Sequence, residues 1–78
     1  MDTKELIELA QLRALLRSGA ARDIRIAAGL SLGEVARTVG ASVSTVFRWE
    51  QRQRRPRGEP AALAYWNLLR ALSSGGRP

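Results

Sequence analysis

Residues 43–48 are predicted to place two apolar side chains, a hydroxyl and a guanidinium on one side of a helix. With 100° of rotation per residue, this side carries Val43, Ser44, Phe47 and Arg48. Arginine can donate two hydrogen bonds to guanine, serine can form one with a base edge, and apolar side chains contact thymine methyl groups. A soluble helix normally carries charge where Val43 and Phe47 lie, so either another helix of the domain or a partner surface covers them. We interpret this face as one that enters the major groove of DNA.

An arginine-rich run follows directly, in the segment QRQRRPRG of residues 51–58. Its arginines are Arg52, Arg54, Arg55 and Arg57. A planar guanidinium forms paired hydrogen bonds with a phosphate group, which an ammonium cannot do. Runs of like charge are usually solvated loops. Because this run leaves the end of the outward-facing helix, and Pro56 prevents the helix from continuing, we expect it to lie beside the DNA groove and contact phosphates.

The net charge of +6 lies mainly in the second half of the chain. Arg37 and seven further arginines follow residue 36, against only Glu50 and Glu59. This excess favours an acidic polymer as the partner over a membrane surface or an acidic protein. We expect Arg37 to neutralise a phosphate together with the arginines of the loop.

Cysteine and histidine are both absent from the sequence. Without them the commonest general base and the commonest soft metal ligands are missing, so we expect no enzyme activity, no metal and no cofactor. No apolar run is long enough to cross a bilayer, and no secretory signal is present. The expected location is therefore the cytoplasm, in a bacterial nucleoid or a phage-infected host.

Two short helices joined by a tight corner are predicted to carry the outward face. Ser31 and Glu34 have the spacing of a capping box, so a helix should begin at Leu32. Gly40 can end it in a left-handed conformation, and Ser42 can cap the next helix. These signals predict a helix-turn-helix over residues 31–51, with the recognition helix at about 42–51. The inward residues are predicted to be Val35, Ala36, Val39, Val46 and Trp49.

Residues 3–17 are predicted to form an amphipathic helix capped by Thr3. A seam of Leu9, Leu12 and Leu16 is widened by Leu6, Ala10 and Leu15. This breadth fits a core helix in a crowded small bundle, and it also fits a helix of which one part dimerises.

Two further helices complete the prediction. A helix over residues 21–28 should turn Ala21, Ile24 and Ala28 inward, with Leu30 filling the core beneath the corner. A last helix over 60–72, begun by Pro60, should bury Leu63, Trp66, Leu69 (or Tyr65) and Leu72, with Trp66 as a core anchor. We expect a single domain over residues 1–72 and a disordered tail over 73–78. The predicted fold is all-α, a compact five-helix bundle that contains a helix-turn-helix and an extra N-terminal helix.

From residue 25 to residue 72 the chain resembles the XRE family, the helix-turn-helix domains of the phage repressor and Cro type. The matching residues are Arg25, Gly29, Leu30, Ser31, Glu34, Val35, Ala36, Val39, Gly40, Ser42, Ser44, Thr45, Val46, Arg48, Trp49, Glu50 and Pro56. The resemblance implies a bundle of about five helices that binds operator DNA, usually as a dimer on two half-sites.

The resemblance also implies roles for single residues. Val43, Ser44 and Arg48 fall where family members contact base edges, with Phe47 beside them. Arg25 and Glu50 match a family ion pair that fixes the recognition helix. The remaining positions expected to contact phosphates are Leu32, Gly33 and Thr45, the first two through amide groups at a helix N-terminus.

The chain departs from the family pattern at three places. Leu32 replaces a residue that is often a DNA-contacting glutamine. Arg52 replaces a common glycine, so either the loop takes a different path or Arg52 adopts a left-handed conformation. The helix over residues 3–17 has no counterpart in the minimal family domain.

These observations favour a sequence-specific transcriptional regulator, similar to a small phage Cro or repressor. Its expected partners are double-stranded DNA and a second copy of itself, at least on DNA, with no membrane and no small-molecule ligand. One alternative is a phage excision or architectural factor, or an antitoxin. Another, of a different class, is a protein-interaction module acting through the leucine-rich N-terminal helix and Phe47.

Overall fold

The computed structural model describes residues 1–75 as five α-helices, with no strand among these residues. The helices are α1 (Thr3–Ser18), α2 (Ala20–Ala27), α3 (Leu32–Val39), α4 (Val43–Glu50) and α5 (Pro60–Gly75). The prediction of an all-α, five-helix bundle is confirmed. No helix in this part of the chain is long and apolar enough to cross a membrane.

The start of α1 differs from the prediction by one residue. Asp2, and not Thr3, is the cap: its carboxylate accepts a hydrogen bond from the Glu5 amide at 2.8 Å, and the Glu5 carboxylate accepts one from the Asp2 amide at 3.2 Å. This reciprocal pair satisfies two amides that the first turn leaves free, which the Thr3 hydroxyl could not do.

A single residue separates α1 from α2, where the sequence predicted a break of three. Gly19 has φ +84°, so it reverses the chain at once while Ser18 and Ala20 remain helical. The helix α2 also ends one residue earlier than predicted, at Ala27. Ala28 lies past the helix and is exposed, so its predicted inward position is wrong.

The core lies where α5 packs against α1, α2 and α3, and where α3 packs against α4. Its buried residues are Leu9, Leu12, Leu16, Ala21, Val35, Ala36, Val39, Val46, Trp49, Ala62, Tyr65 and Leu69. The leucine seam of α1 is thus confirmed, whereas Leu6 and Ala10 are exposed. Ile24 and Leu30 are half-buried against the core.

Tyr65, and not Trp66, is the aromatic anchor of α5. The Tyr65 ring stacks on the Trp49 ring, with centroids 5.4 Å apart and planes 18° from parallel. The buried face of α5 runs through Ala62, Tyr65 and Leu69, whereas Leu63 and Trp66 are only half-buried. The helix is therefore rotated by about one residue from the predicted orientation, with small Ala62 on its buried face.

The last helix also extends past its predicted end at residue 72. Ser73 and Ser74 continue it, and their hydroxyls donate to the carbonyls of Leu69 and Arg70 at 2.9 and 3.1 Å. The helix α5 thus extends over residues 73–75 of the predicted tail, and the remaining part of that tail, 76–78, lies outside the described residues.

Candidate nucleic-acid interface

One side of α4 is sealed into the core and the opposite side is exposed. Val46 and Trp49 are fully buried, while Val43 and Phe47 expose 49% and 44% of their surface. Ser44 and Arg48 are exposed on the same outer side. No helix of residues 1–75 covers this face, so the alternative of an internal covering helix does not hold.

The corner before α4 sets the direction in which the helix leaves. Gly40 has φ +81°, and the amides of Gly40 and Ala41 both donate to the Ala36 carbonyl, at 2.9 and 3.0 Å. The Ser42 hydroxyl then accepts from the Thr45 amide at 3.0 Å and donates to the Thr45 hydroxyl at 2.9 Å. Ser42 thus holds both the backbone and the side chain of Thr45 at the start of α4.

A nearly buried ion pair holds the other end of α4. The Arg25 guanidinium donates to both carboxylate oxygens of Glu50, with Nε–Oε2 at 2.6 Å and Nη2–Oε1 at 3.0 Å. Its Nη1 donates to the Leu30 carbonyl at 2.9 Å. The hydrogen bond with Glu50 is the main reason that the pKa of Arg25 is raised. One side chain of α2 thus links the end of α4 to the segment before α3, which fixes the angle of α4.

The burial of Tyr65 beneath α4 is also reflected in its ionisation. Burial raises the pKa of the Tyr65 phenol well above its ordinary value, and the negative charge of Glu50 raises it further. Tyr65 is therefore a neutral core residue at physiological pH.

The start of α3 brings together three of the residues expected to contact phosphates. Ser31 and Glu34 form the predicted capping box, with hydrogen bonds of 2.9 and 3.0 Å. The Arg37 guanidinium lies over this turn: its Nη1 is 3.6 Å from the position that a Cβ atom on Gly33 would occupy. Leu32 and Gly33 are half-buried and Arg37 is exposed. A phosphate approaching this turn would meet both the helix N-terminus and the Arg37 charge.

The loop after α4 begins with a residue in an unfavourable conformation. Arg52 has φ +61°, so the second of the two predicted possibilities is the one observed. The amide of Arg52 donates to the Trp49 carbonyl at 3.1 Å, and that of Gln53 donates to the Arg48 carbonyl at 2.9 Å. The turn closes α4 and leaves the side chains of the loop's arginines, Arg52, Arg54, Arg55 and Arg57, all exposed.

Arg13 holds this loop against α1, a role that the sequence analysis did not identify. Its Nε donates to the Pro56 carbonyl at 2.9 Å, and Pro56 is buried. The pKa of Arg13 is lowered, chiefly by burial and then by the charges of Arg55 and Arg57. The contact spans 43 residues of sequence, so no local pattern could have revealed it.

An outward helix on a glycine corner, followed by an arginine-rich loop, defines a helix-turn-helix protein. A family model described as helix-turn-helix matches residues 22–63, more than half of the chain. The chain belongs to this family, of the XRE type, whose members are DNA-binding and non-enzymatic. No curated protein and no solved structure is significantly similar to the chain. The helix α1 precedes the matched segment, as the sequence analysis expected.

Proposed function

We propose that the chain is a sequence-specific regulator of transcription, similar to a small phage Cro or repressor, that places α4 in the major groove of double-stranded DNA. The exposed apolar pair of Val43 and Phe47 carries this proposal. Two large apolar groups on the outside of a helix cost free energy in water, and the methyl groups of thymines in a major groove would remove them from it.

Four side chains of α4 would choose the sequence. Arg48 would donate two hydrogen bonds to a guanine, Ser44 would bond to a neighbouring base, and Val43 and Phe47 would contact thymine methyl groups. The bidentate pair of Arg48 with guanine would discriminate against the wrong base by about 1–3 kcal/mol.

Phosphate contacts would come from two groups of residues. One group lies in α3 and the first turn of α4: Leu32, Gly33, Arg37 and Thr45. The other lies in the following loop: Arg52, Arg54, Arg55 and Arg57. Because these groups contact the DNA backbone, they would fix the register of α4 without carrying sequence information.

A homodimer would give this small surface enough contacts for an operator. One α4 reads only a few base pairs, and two copies related by a two-fold axis would read a palindrome with half-sites about one helical turn apart.

Selection of bound sequences from random DNA tests both sequence-specific binding and dimer formation on DNA. We expect an enriched palindrome, and the recovery of no enriched sequence would contradict the proposal.

The variant Arg48→Ala tests the base-reading role directly. We expect it to weaken binding to the selected site by about 1–3 kcal/mol and to leave binding to unrelated DNA nearly unchanged. The matched control is Arg70→Ala, because the Arg70 side chain is exposed on α5 and its described hydrogen bond is to Asn67, away from α4. Equal losses on selected and unrelated DNA would remove Arg48 from the base-reading set.

The exposed side of α1 favours a second candidate function, that of a protein-interaction module. Leu6 and Ile7 expose 56% and 53% of their surface on this helix. Salt dependence separates the two functions. DNA binding should weaken by about 0.9 log units per log unit of salt for each phosphate contact, whereas apolar association would change little or strengthen.

A further inference from the structure

A pocket of about 350 Å³ lies between α1, the end of α4 and the loop that follows. Its lining residues are Arg13, Leu16, Arg17, Trp49, Arg52, Arg54, Arg55 and Pro56. Five of these eight are arginines, contributed by two segments that are far apart in the sequence. The remaining three provide apolar walls.

The arginines of this pocket have no carboxylate partner. Among residues 1–75 the one ion pair is that of Arg25 with Glu50, which lies elsewhere. Arg13 uses its Nε on the Pro56 carbonyl, and its two terminal nitrogens form no described hydrogen bond. Glu59 raises the pKa of Arg13, but burial and the charges of Arg55 and Arg57 each lower it more strongly. The positive charge of the pocket is therefore uncompensated within the described chain.

The backbone is strained at one residue of this pocket. Arg52 holds φ +61°, a conformation that a non-glycine residue adopts only at a steric cost. Such strain is concentrated at functional sites, where the surrounding structure imposes it. Here the strained residue contributes its side chain to the wall of the pocket.

We propose that this pocket binds a phosphate-bearing polyanion, held by Arg13 and Arg17 of α1 together with Arg52, Arg54 and Arg55 of the loop. Guanidinium groups match phosphate oxygens with paired hydrogen bonds. The apolar walls of Leu16, Trp49 and Pro56 reduce competition from water, and the volume falls within the range of small-ligand sites. The site includes α1, which lies outside the segment matched by the helix-turn-helix family.

Two sources could supply this chemistry: the phosphodiester backbone of DNA and a free phosphorylated metabolite. The proposal is independent of DNA binding, and pyrophosphate alone therefore serves as the first test ligand. Binding of a free ligand would depart from the expectation that no small-molecule ligand is needed.

Trp49 offers a site-specific probe of binding. It lines the pocket, whereas Trp66, the second tryptophan, does not. The full chain is titrated with pyrophosphate, and the two indole N–H resonances are followed by NMR, with Trp66→Phe assigning them. We expect the Trp49 resonance to shift and saturate while that of Trp66 stays in place. An unshifted Trp49 resonance would overturn the proposal.

Charge-matched variants separate the pocket from general attraction to a cationic protein. We expect Arg17→Gln to weaken pyrophosphate binding about tenfold, the effect of losing one charge-assisted hydrogen bond. The control Arg22→Gln removes the same charge from an exposed site on α2 outside the pocket, and it should change binding less than twofold. Equal effects of the two variants would overturn the proposal. Arg55→Gln is a second pocket variant that leaves the Arg13–Pro56 contact intact.

Competition with DNA identifies the source of the phosphate. If pyrophosphate displaces a duplex, and Arg17→Gln lowers the salt dependence of DNA binding by about 0.9, the pocket holds a DNA phosphate. If pyrophosphate binds without displacing DNA, the ligand is a free phosphorylated compound. Both outcomes support the pocket, and failure of the pyrophosphate titration rejects it without affecting the proposed role of α4.

Discussion

Replacing Arg25 with methionine removes a guanidinium from a nearly buried ion pair while keeping most of the side-chain length. The Glu50 side chain is 1% exposed and that of Arg25 is 11% exposed. In the variant, the Glu50 carboxylate would lose two hydrogen bonds of 2.6 and 3.0 Å, and the Leu30 carbonyl would lose its donor. The ionised carboxylate would then remain at a site that water reaches poorly.

Breaking one side of a buried pair costs about 3–5 kcal/mol. Because the Arg25 side of the pair has some access to solvent, water can partly replace the guanidinium, and we expect a loss of about 3 kcal/mol. The free energy of unfolding of a domain of this size is on the order of 4–12 kcal/mol. The variant should therefore be only marginally folded, and its α4 should no longer be held at a fixed angle.

A double-mutant cycle measured by urea unfolding, with tryptophan fluorescence as the signal, checks this reasoning. The double variant Arg25→Met with Glu50→Leu removes both charges, and we expect it to be more stable than Arg25→Met alone by about 2 kcal/mol. The control Arg70→Met alters an exposed arginine and should change stability by less than about 0.5 kcal/mol. A loss below about 1 kcal/mol for Arg25→Met, or additive effects in the cycle, would refute the argument.

Three further predictions concern α3, α4 and the loop. Phe47→Ala should leave the thermal midpoint of unfolding nearly unchanged, because Phe47 is 44% exposed. The same variant should weaken binding to the selected DNA site in a fluorescence anisotropy titration. A large loss of stability would show that Phe47 is a core residue. Arg52→Gly should raise the free energy of unfolding by about 0.5–1 kcal/mol. Glycine adopts φ +61° without the steric penalty, and its larger loss of entropy on folding offsets only part of that gain. An unchanged or lower free energy of unfolding would contradict the strain at Arg52. Hydrogen bonding to the Ser31 amide lowers the pKa of Glu34 from its ordinary value of 4.5. The contribution of the Glu34 carboxylate to stability is therefore complete above that value and is lost as pH falls through the lower, folded-state pKa. The wild type should lose more stability than Glu34→Gln between about pH 5 and pH 3, and parallel pH profiles of the two proteins would contradict this.

Local signals in the sequence were sufficient for the helix-turn-helix. The capping box of Ser31 and Glu34, the left-handed Gly40 and the cap at Ser42 all act over four residues or fewer. Such interactions depend little on the rest of the chain, so they could be predicted. The exposure of Phe47 followed in the same way, because the helical period places it opposite Val46 and Trp49.

Two of the errors arose where neighbouring residues offered similar chemistry. Asp2 and Thr3 can both cap α1, and only the reciprocal bond with Glu5 decides between them. Trp66 and Tyr65 can both anchor α5, and the stacking of Tyr65 on Trp49 selects one. That stacking depends on how α4 and α5 approach each other in three dimensions, which helical periodicity does not specify.

The sequence by itself determined the helices of this protein, the corner between α3 and α4 and the outward face of α4, because each depends on contacts within a turn or two of the chain. The tertiary structure alone decided the rotation of α5, the contact of Arg13 with the Pro56 carbonyl and the arginine pocket beside Trp49. These features join residues on different elements of the chain, as in the contact of Arg13 with Pro56, which spans 43 residues. Their geometry is set by how side chains of particular volume pack together, and no local pattern encodes that packing.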